Sequence, residues 1–325
     1  MISHQGCAGW LWSGLSTHLT TYQTEEKIMK RTLLASTALV AMSGAAYAQG
    51  VTLSGWAEMG IAAGSDGNAM FHQDVDVSFK MEAMTDAGLT FGTAVDLDED
   101  AGAVGSDDAG VAAYVKGPFG NITLGDTDGG FDWSMAEVGG AGAIADNHTG
   151  HAGYNGNSGL DGNGGNDGQI LRYDNSFGGL GVALSYEQED MGSNGDIIGA
   201  GVTGGFGDVS LGVGFQTHDN ANIAGASVSA TFGDISGGLN YSRLSHDTDG
   251  DTTHLGVGAT YATGGTTVNV NFGQTDVAGM ESTGFGVAAQ YDLGGGAKVQ
   301  FGYGNSQNAD DTDEDTWSLG LAMGF

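Results

Sequence analysis

The 325-residue sequence carries 62 Gly, 1 Pro, 40 Asp+Glu and 8 Lys+Arg, for a formal net charge of -32 at pH 7. That charge excludes nucleic acid as a partner, because such binding rests on neutralising phosphates with Lys and Arg. So much Gly without a Gly-X-Y period excludes collagen, and 40% hydrophobic residues in short regular runs exclude simple disorder.

Residues 1–28 have no fold logic and include the only cysteine, Cys7, so they read as an upstream extension outside the native product. Residues 29–48 read as a secretory signal peptide. Lys30 and Arg31 precede an uncharged apolar stretch from Leu33 to Ala46, and Ala46-Tyr47-Ala48 forms an A-x-A-type cleavage site ahead of Gln49. Removing residues 1–48 takes two acids and three bases from the totals, leaving 38 acidic and 5 basic residues and a net charge of -33. The exported chain, residues 49–325, then holds no cysteine, so disulfides and thiol chemistry play no part in it. No stretch after the signal reaches the roughly 18 apolar residues of a membrane helix. Any membrane span must be made of strands.

From Val51 onward one unit repeats: about ten alternating residues, then a tight turn or a polar loop. In "DVDVSFKMEA", Val75, Val77, Phe79, Met81 and Ala83 form one face, and Asp74, Asp76, Ser78, Lys80 and Glu82 the other. Strands are predicted to begin near Val51, His72, Leu89, Gly110, Asn121, Gln169, Gly181, Asp196, Asp208, Ala221, Asp234, Thr252, Thr266, Glu281, Ala297 and Thr316. Short turns such as "GPFG" and "ATGG" alternate with longer loops such as "EDMGSNGD" and "SHDTDGD". An even strand number with turns short at one end and long at the other is the pattern of an outer-membrane barrel.

The predicted fold is therefore all-β, a transmembrane antiparallel β-barrel of about 16 strands. Aromatics near strand ends (Trp56, Phe71, Tyr114, Phe119, Tyr173, Tyr186, Tyr241, Tyr261, Tyr291, Trp317 and Phe325) are expected in the two interfacial girdles. Abundant Gly suits lumen-facing positions where backbones approach closely. The last strand, "TWSLGLAMGF", sets Trp317, Leu319, Leu321, Met323 and Phe325 toward lipid and Ser318, Gly320, Ala322 and Gly324 toward a lumen.

Two rival readings use the same strands. A secreted calcium-binding β-rich protein is suggested by "GNGGNDGQI", one unit resembling a calcium-binding nonapeptide, but it lacks the tandem period a solenoid requires. An adhesin or structural barrel would need a lumen plugged by large side chains, whereas the inward faces carry small ones. "DTDGD" at Asp247 starts like an EF-hand, then fails with Thr252 at the Gly position and Gly258 at the bidentate Glu position. Loosely bound calcium stays open at Asp96, Asp98 and Asp100, against a solvated acidic rim. Otherwise no cofactor is expected. His148 and His151 in "HTGH" lack further ligands for a metal site. "GFGVAA" lies in a strand with no helix to follow it, so it is no dinucleotide site. No nucleophile with its base is apparent, and no enzyme is expected.

"KGPFGNITLGD" (Lys116 to Asp126), "LRYDNSFGGLGVALSY" (Leu171 to Tyr186) and the terminal "WSLGLAMGF" resemble signature stretches of the Gram-negative general porins, most nearly the alphaproteobacterial kind. The resemblance spans essentially all of the mature chain. It implies a homotrimeric, sixteen-stranded diffusion pore among outer-membrane lipid and lipopolysaccharide. It also implies a terminal Phe325 that the outer-membrane assembly machinery recognises. One departure is Asp126, where the family often has Arg after "TLG"; with so few wall cations, a strong transverse field is not carried over.

The longest connection, Phe131 to Gly168, follows the fifth strand, where the family folds a loop into the lumen as an eyelet. It carries Asp132, Glu137, Asp146, Asp161 and Asp167 and no Lys or Arg. Trp133, Met135, Val138 and Ile144 can anchor its first half to the wall, and its Gly/Asn-rich second half, Gly153 to Gly168, suits a disordered extracellular loop. Alternation points Lys80, Lys116 and Arg172 into the lumen from the second, fourth and sixth strands. Acidic rings favour cations. The expectation is a cation-preferring pore for small hydrophilic solutes, with Asp132, Glu137 and Asp146 setting the preference.

Overall fold

The computed structural model describes residues 50–65, 67–98, 110–139, 142–144, 149, 151–154, 156–157, 159–162, 166–189, 195–248 and 250–325. Sixteen strands follow in chain order: β1 (Gly50–Ala63), β2 (Ala69–Met84), β3 (Thr90–Asp98), β4 (Val111–Gly117), β5 (Gly120–Asp126), β6 (Asn166–Phe177), β7 (Leu180–Glu189), β8 (Ile197–Phe206), β9 (Val209–His218), β10 (Ala221–Phe232), β11 (Ile235–His246), β12 (Thr252–Thr263), β13 (Thr266–Val277), β14 (Met280–Gly294), β15 (Ala297–Gln307) and β16 (Asp313–Gly324). Each pairs antiparallel with its sequence neighbours, and β1 pairs with β16, which closes the barrel. The expected strand starts all fall within three residues of the observed ones, because each strand announces itself by a period of two.

At the closing seam Met59 faces Leu321, Gly60 faces Gly320 and Ala63 faces Trp317. Backbone pairing runs on to the last residue: Phe325 N–H donates to Gly55 O at 2.9 Å, and Gly55 N–H donates to Phe325 O at 3.2 Å. The seam leaves no unpaired strand edge, which is what a sheet in hydrocarbon requires. One closed antiparallel barrel is not the tandem solenoid that the secreted calcium-binding reading requires.

The outward face is apolar and exposed all round the barrel, including Leu53, Leu124, Leu184, Val213, Val270 and Leu319. So continuous a band has no place in water and fits a lipid face. Turns at one end are tight. The connections at Gly207, Gly233 and Gly264 take two residues, the first with φ of 64°, 62° and 56°, the left-handed geometry that matches a hairpin's twist. The opposite end is less uniformly long than the sequence suggested: β9–β10 and β13–β14 are also joined by two residues there.

A girdle of exposed aromatics, Phe177, Phe206, Phe232, Tyr261, Tyr291 and Phe325, sits beside these tight turns. Two of the aromatics expected in the girdles point inward instead. Trp56 turns inward, its indole N–H donating to Glu58 Oε1 at 2.9 Å. Tyr114 is 2% exposed and lies inside the wall over Gly92, where a Cβ would strike its ring. Both share strand parity with inward polar neighbours (Glu58, Lys116), and parity decides which side of the wall a residue occupies.

Candidate functional site: the constriction and its glycine seat

After β5 the chain turns into the barrel instead of leaving it. Its first residues are tied to the wall by Arg172, which is 4% exposed. Arg172 Nη1 donates to Asp128 O at 2.7 Å, and its guanidinium pairs with Asp174 at 3.3 Å and with the Asp128 carboxylate at 3.9 Å. Next comes a single helical turn, α1 (Gly130–Ser134). Gly130 N–H donates to Ser185 Oγ at 2.8 Å. Phe131 and Met135 pack with Leu160, Ile197 and Ile223 into a small apolar cluster between loop and wall.

The loop then follows the inner wall, and glycines make room for it. A Cβ at Gly201 would strike Gly130 O, at Gly212 Ser134 O, at Gly258 Val138 O, at Gly286 Thr149 O, and at Gly273 Gly153 O. These residues are inward Gly of β8, β9, β12, β14 and β13. Without side chains, the loop backbone can lie directly on the sheet. Polar wall residues satisfy the loop's amides, as buried groups require. Ser227 Oγ accepts from Ala136 N–H at 2.8 Å, Gln216 Oε1 from Leu160 N–H at 2.8 Å, and Ser306 Oγ from Ala152 N–H at 2.9 Å. Asn240 Nδ2 donates to Ala136 O at 2.9 Å.

The described part of the second half is packed too, contrary to the expectation of a disordered outer loop. Tyr154 is 3% and Leu160 1% exposed. Tyr154 stacks on His254 with ring centroids 5.0 Å apart. His151 Nε2 meets Asn271 Oδ1 at 2.7 Å, so His151 seats the loop on β13; burial, opposed by that contact, pulls its pKa below the ordinary histidine value. His148 lies outside the described residues. In all, the glycine seat runs from β7 round through β16 to β1, and among the described residues no glycine of β3–β5 meets the loop.

The loop's carboxylates divide by what they touch. Glu137 holds outgoing and returning segments together: Tyr154 Oη donates to Oε2, and Asn157 donates to Oε1 from its backbone N–H at 3.0 Å and from Nδ2 at 2.9 Å. Asp161 accepts from Gly129 N–H at 2.9 Å and from Gln216 Nε2. Asp132 makes no side-chain hydrogen bond among the described residues, yet it feels Asp128, Glu137 and Asp161 together. Burial and these like charges hold its carboxyl well above the usual range, with Arg172 opposing. Desolvation raises Glu137 as well, although its side chain keeps an exposed surface, against the hydrogen bonds from Tyr154 and Asn157. Asp161 is pushed up to about 7, mainly by burial, with the Gly129 amide opposing. Asp146 lies outside the described residues.

On the wall formed by β2 and β4, Lys80 and Lys116 sit over the Tyr114 ring, 5.8 Å and 4.3 Å from its centroid. Lys80 also pairs with Glu82 at 3.6 Å, and the Tyr114 hydroxyl donates to the same carboxylate at 2.5 Å. Arg172, foreseen as a wall cation, does point inward, but its charge is engaged by Asp128 and Asp174. Arg243 pairs with exposed Asp251 at the loop end, and Lys298 lies over the Trp56 ring at 5.7 Å. Asp126 accepts from Gly110 N–H at 2.7 Å, bracing the start of β4. Of the calcium candidates, Asp96 accepts from the Ser78 hydroxyl, whereas the Asp98 side chain and Asp100 lie outside the described residues.

Gln216, Asn240, Asn271 and Tyr154 were not foreseen from the sequence. Three of them are inward amides flanked two residues away by inward Gly, in "GVGFQTH", "GGLNYS" and "NVNFG", and that pattern marks a wall built to receive a backbone.

Residues 35–321 match a family model described as Gram-negative porin. A porin of Rhodobacter capsulatus is 28% identical over 282 residues, covering 77% of this chain and 92% of its own length. A solved porin structure superposes with a TM-score of 0.69 at 24% identity, over 85% of this chain and all of that one. A triple mutant of the Rhodopseudomonas blastica porin gives 0.62 at 20% identity, again over 85% and 100%.

Proposed function

The chain belongs to the Gram-negative porin family, and from that premise we propose that its outer-membrane channel passes small hydrophilic solutes passively and prefers cations. The observation that carries the preference is the acidic cluster as a whole: Asp132, Glu137 and Asp161 act on one another and on Asp128, and Asp132 has no ion-pair partner among the described residues. On the facing wall Arg172 is paired, Lys80 shares Glu82, and Lys116, without an ion pair among the described residues, lies in the field of Glu82 and Asp174. Lumen charge tunes selectivity in such barrels. Liposome swelling tests the reading: neutral sugars and amino acids should enter, and a cationic amino acid should enter faster than an anionic one of equal size. Equal rates, or a faster anion, would contradict it.

Three further parts of this reading rest on family membership and sequence. The protein works as a homotrimer. Its mature form begins at Gln49, next to the first strand residue, Gly50. Phe325, exposed at the end of the seam, is the group that the assembly machinery engages.

A further inference from the structure

We propose that the tip of the constriction loop is a latch across the seam where the barrel closes, with Ile144 as its bolt. Residues 142–144 continue along the inner wall across the last strands. Gly142 lies over β14, where its Cβ would stand 3.6 Å from that of Ala288. Ala143 covers Gly302 of β15. Ile144 then reaches the seam itself: a Cβ on Gly60 of β1 or on Gly320 of β16 would collide with its Cδ1.

Gly60 and Gly320 are register partners, directly opposite each other across the β1–β16 ladder. Two facing residues without side chains make a notch centred on the seam, and the Ile144 side chain fills it completely, at 0% exposure. Around it Ser318 and Ala322 of β16 are also fully buried, and Ala288 is 1% exposed. The notch therefore brings together three segments from the start, the middle and the end of the barrel chain, and the contact exists only when first and last strands are paired.

Two consequences follow from this geometry. The loop tip cannot take its place until the barrel closes, and the closed seam is stabilised by the side chain that fixes the loop. Ile144 is thus a positioning residue for the constriction and a lock on closure at once. Burial of a whole Ile side chain against both strands of the seam is a local contribution. Its loss should appear as local opening of that ladder rather than as uniform weakening.

The test is amide hydrogen exchange on the folded full-length protein in detergent, comparing Ile144→Ala with Val138→Ala. Val138 is 4% exposed and seats the same loop against Gly238 and Gly258 on β11 and β12, far from the seam. In Ile144→Ala, amides of Gly60, Ile61, Leu319 and Gly320 should exchange about tenfold faster or more, since Ile-to-Ala losses in packed sites correspond to at least that factor. The increase in Val138→Ala should fall on β11–β12 and spare the seam. Ile144→Val removes one methylene and gives the same pattern at smaller size, so a failure of the alanine variant to fold leaves the question answerable. Unchanged seam exchange in the Ile144 variants, or equal acceleration there in Val138→Ala, would overturn the latch.

Discussion

Asp132 and Glu137 occupy one loop and do different work. Glu137 receives three hydrogen bonds that join the two halves of the loop, so its removal would disturb shape before charge. Asp132 has no such duty among the described residues, so Asp132→Asn is the cleaner probe of charge, provided it is read at alkaline pH, because the Asp132 carboxyl is raised. A unit charge about 4 Å from a passing ion in water is worth about 1 kcal/mol, so the cation-to-anion permeability ratio should fall by up to about fivefold, read from reversal potentials in planar bilayers. An unchanged ratio would move the selectivity elsewhere. Protons act on the same groups. Asp161 takes up its proton near pH 7, and Asp132 and Glu137 do so above the ordinary carboxylate range. Protonation removes negative charge, so cation preference should begin to fall as pH drops through about 7, well before surface carboxylates titrate near 4. A preference flat from pH 8 to 5 would argue that these carboxylates do not govern it.

At the scale of elements, the loop and its seat were unequally legible. Strands and loop length could be read because periodicity and turn residues are local signals. Trp56 and Tyr114 were misread because nearness to a strand end was weighed above parity, although Glu58 and Lys116, two residues away, carried the right answer. The abundance of inward Gly was visible, but which Gly hosts which loop residue depends on the loop's path through the lumen, and nothing local in "AEVGGAGAIAD" specifies that Ile144 should meet residues 60 and 320. Asp146 and Asp100 lie outside the described residues. The seat gives a direct expectation. Gly258→Val places a side chain where Val138 O lies, and overpacking of this kind costs about 1–3 kcal/mol. The barrel should still form, with a displaced loop and altered single-channel conductance. Gly205→Val, with nothing within 4 Å of the new Cβ, should leave conductance as it was. The same conductance in both variants would mean that the loop does not depend on the seat.

For the whole molecule, the outward apolar band and the closed seam are what make the chain a membrane protein. Leu319 stands on that band, paired with Ile61 and Phe301 on its two sides. Leu319→Arg places a charge on the lipid face at a cost of about 2–4 kcal/mol near mid-bilayer, and it should sharply lower the amount of folded, heat-modifiable protein recovered from outer membranes. Undiminished recovery would put Leu319 away from lipid. The inward surface carries the functional claim: an acidic loop pressed against eleven strands by glycine contacts, facing two lysines held on a tyrosine.

That claim is tested most directly by the reversal potential of the wild-type channel in a planar bilayer separating unequal KCl solutions at neutral pH. The account predicts a potential of the sign for cation preference, large in dilute salt and shrinking as the salt approaches 1 M, where screening shortens the field to about 3 Å. A potential of the opposite sign, or one indifferent to salt, would contradict the assignment of selectivity to the loop carboxylates.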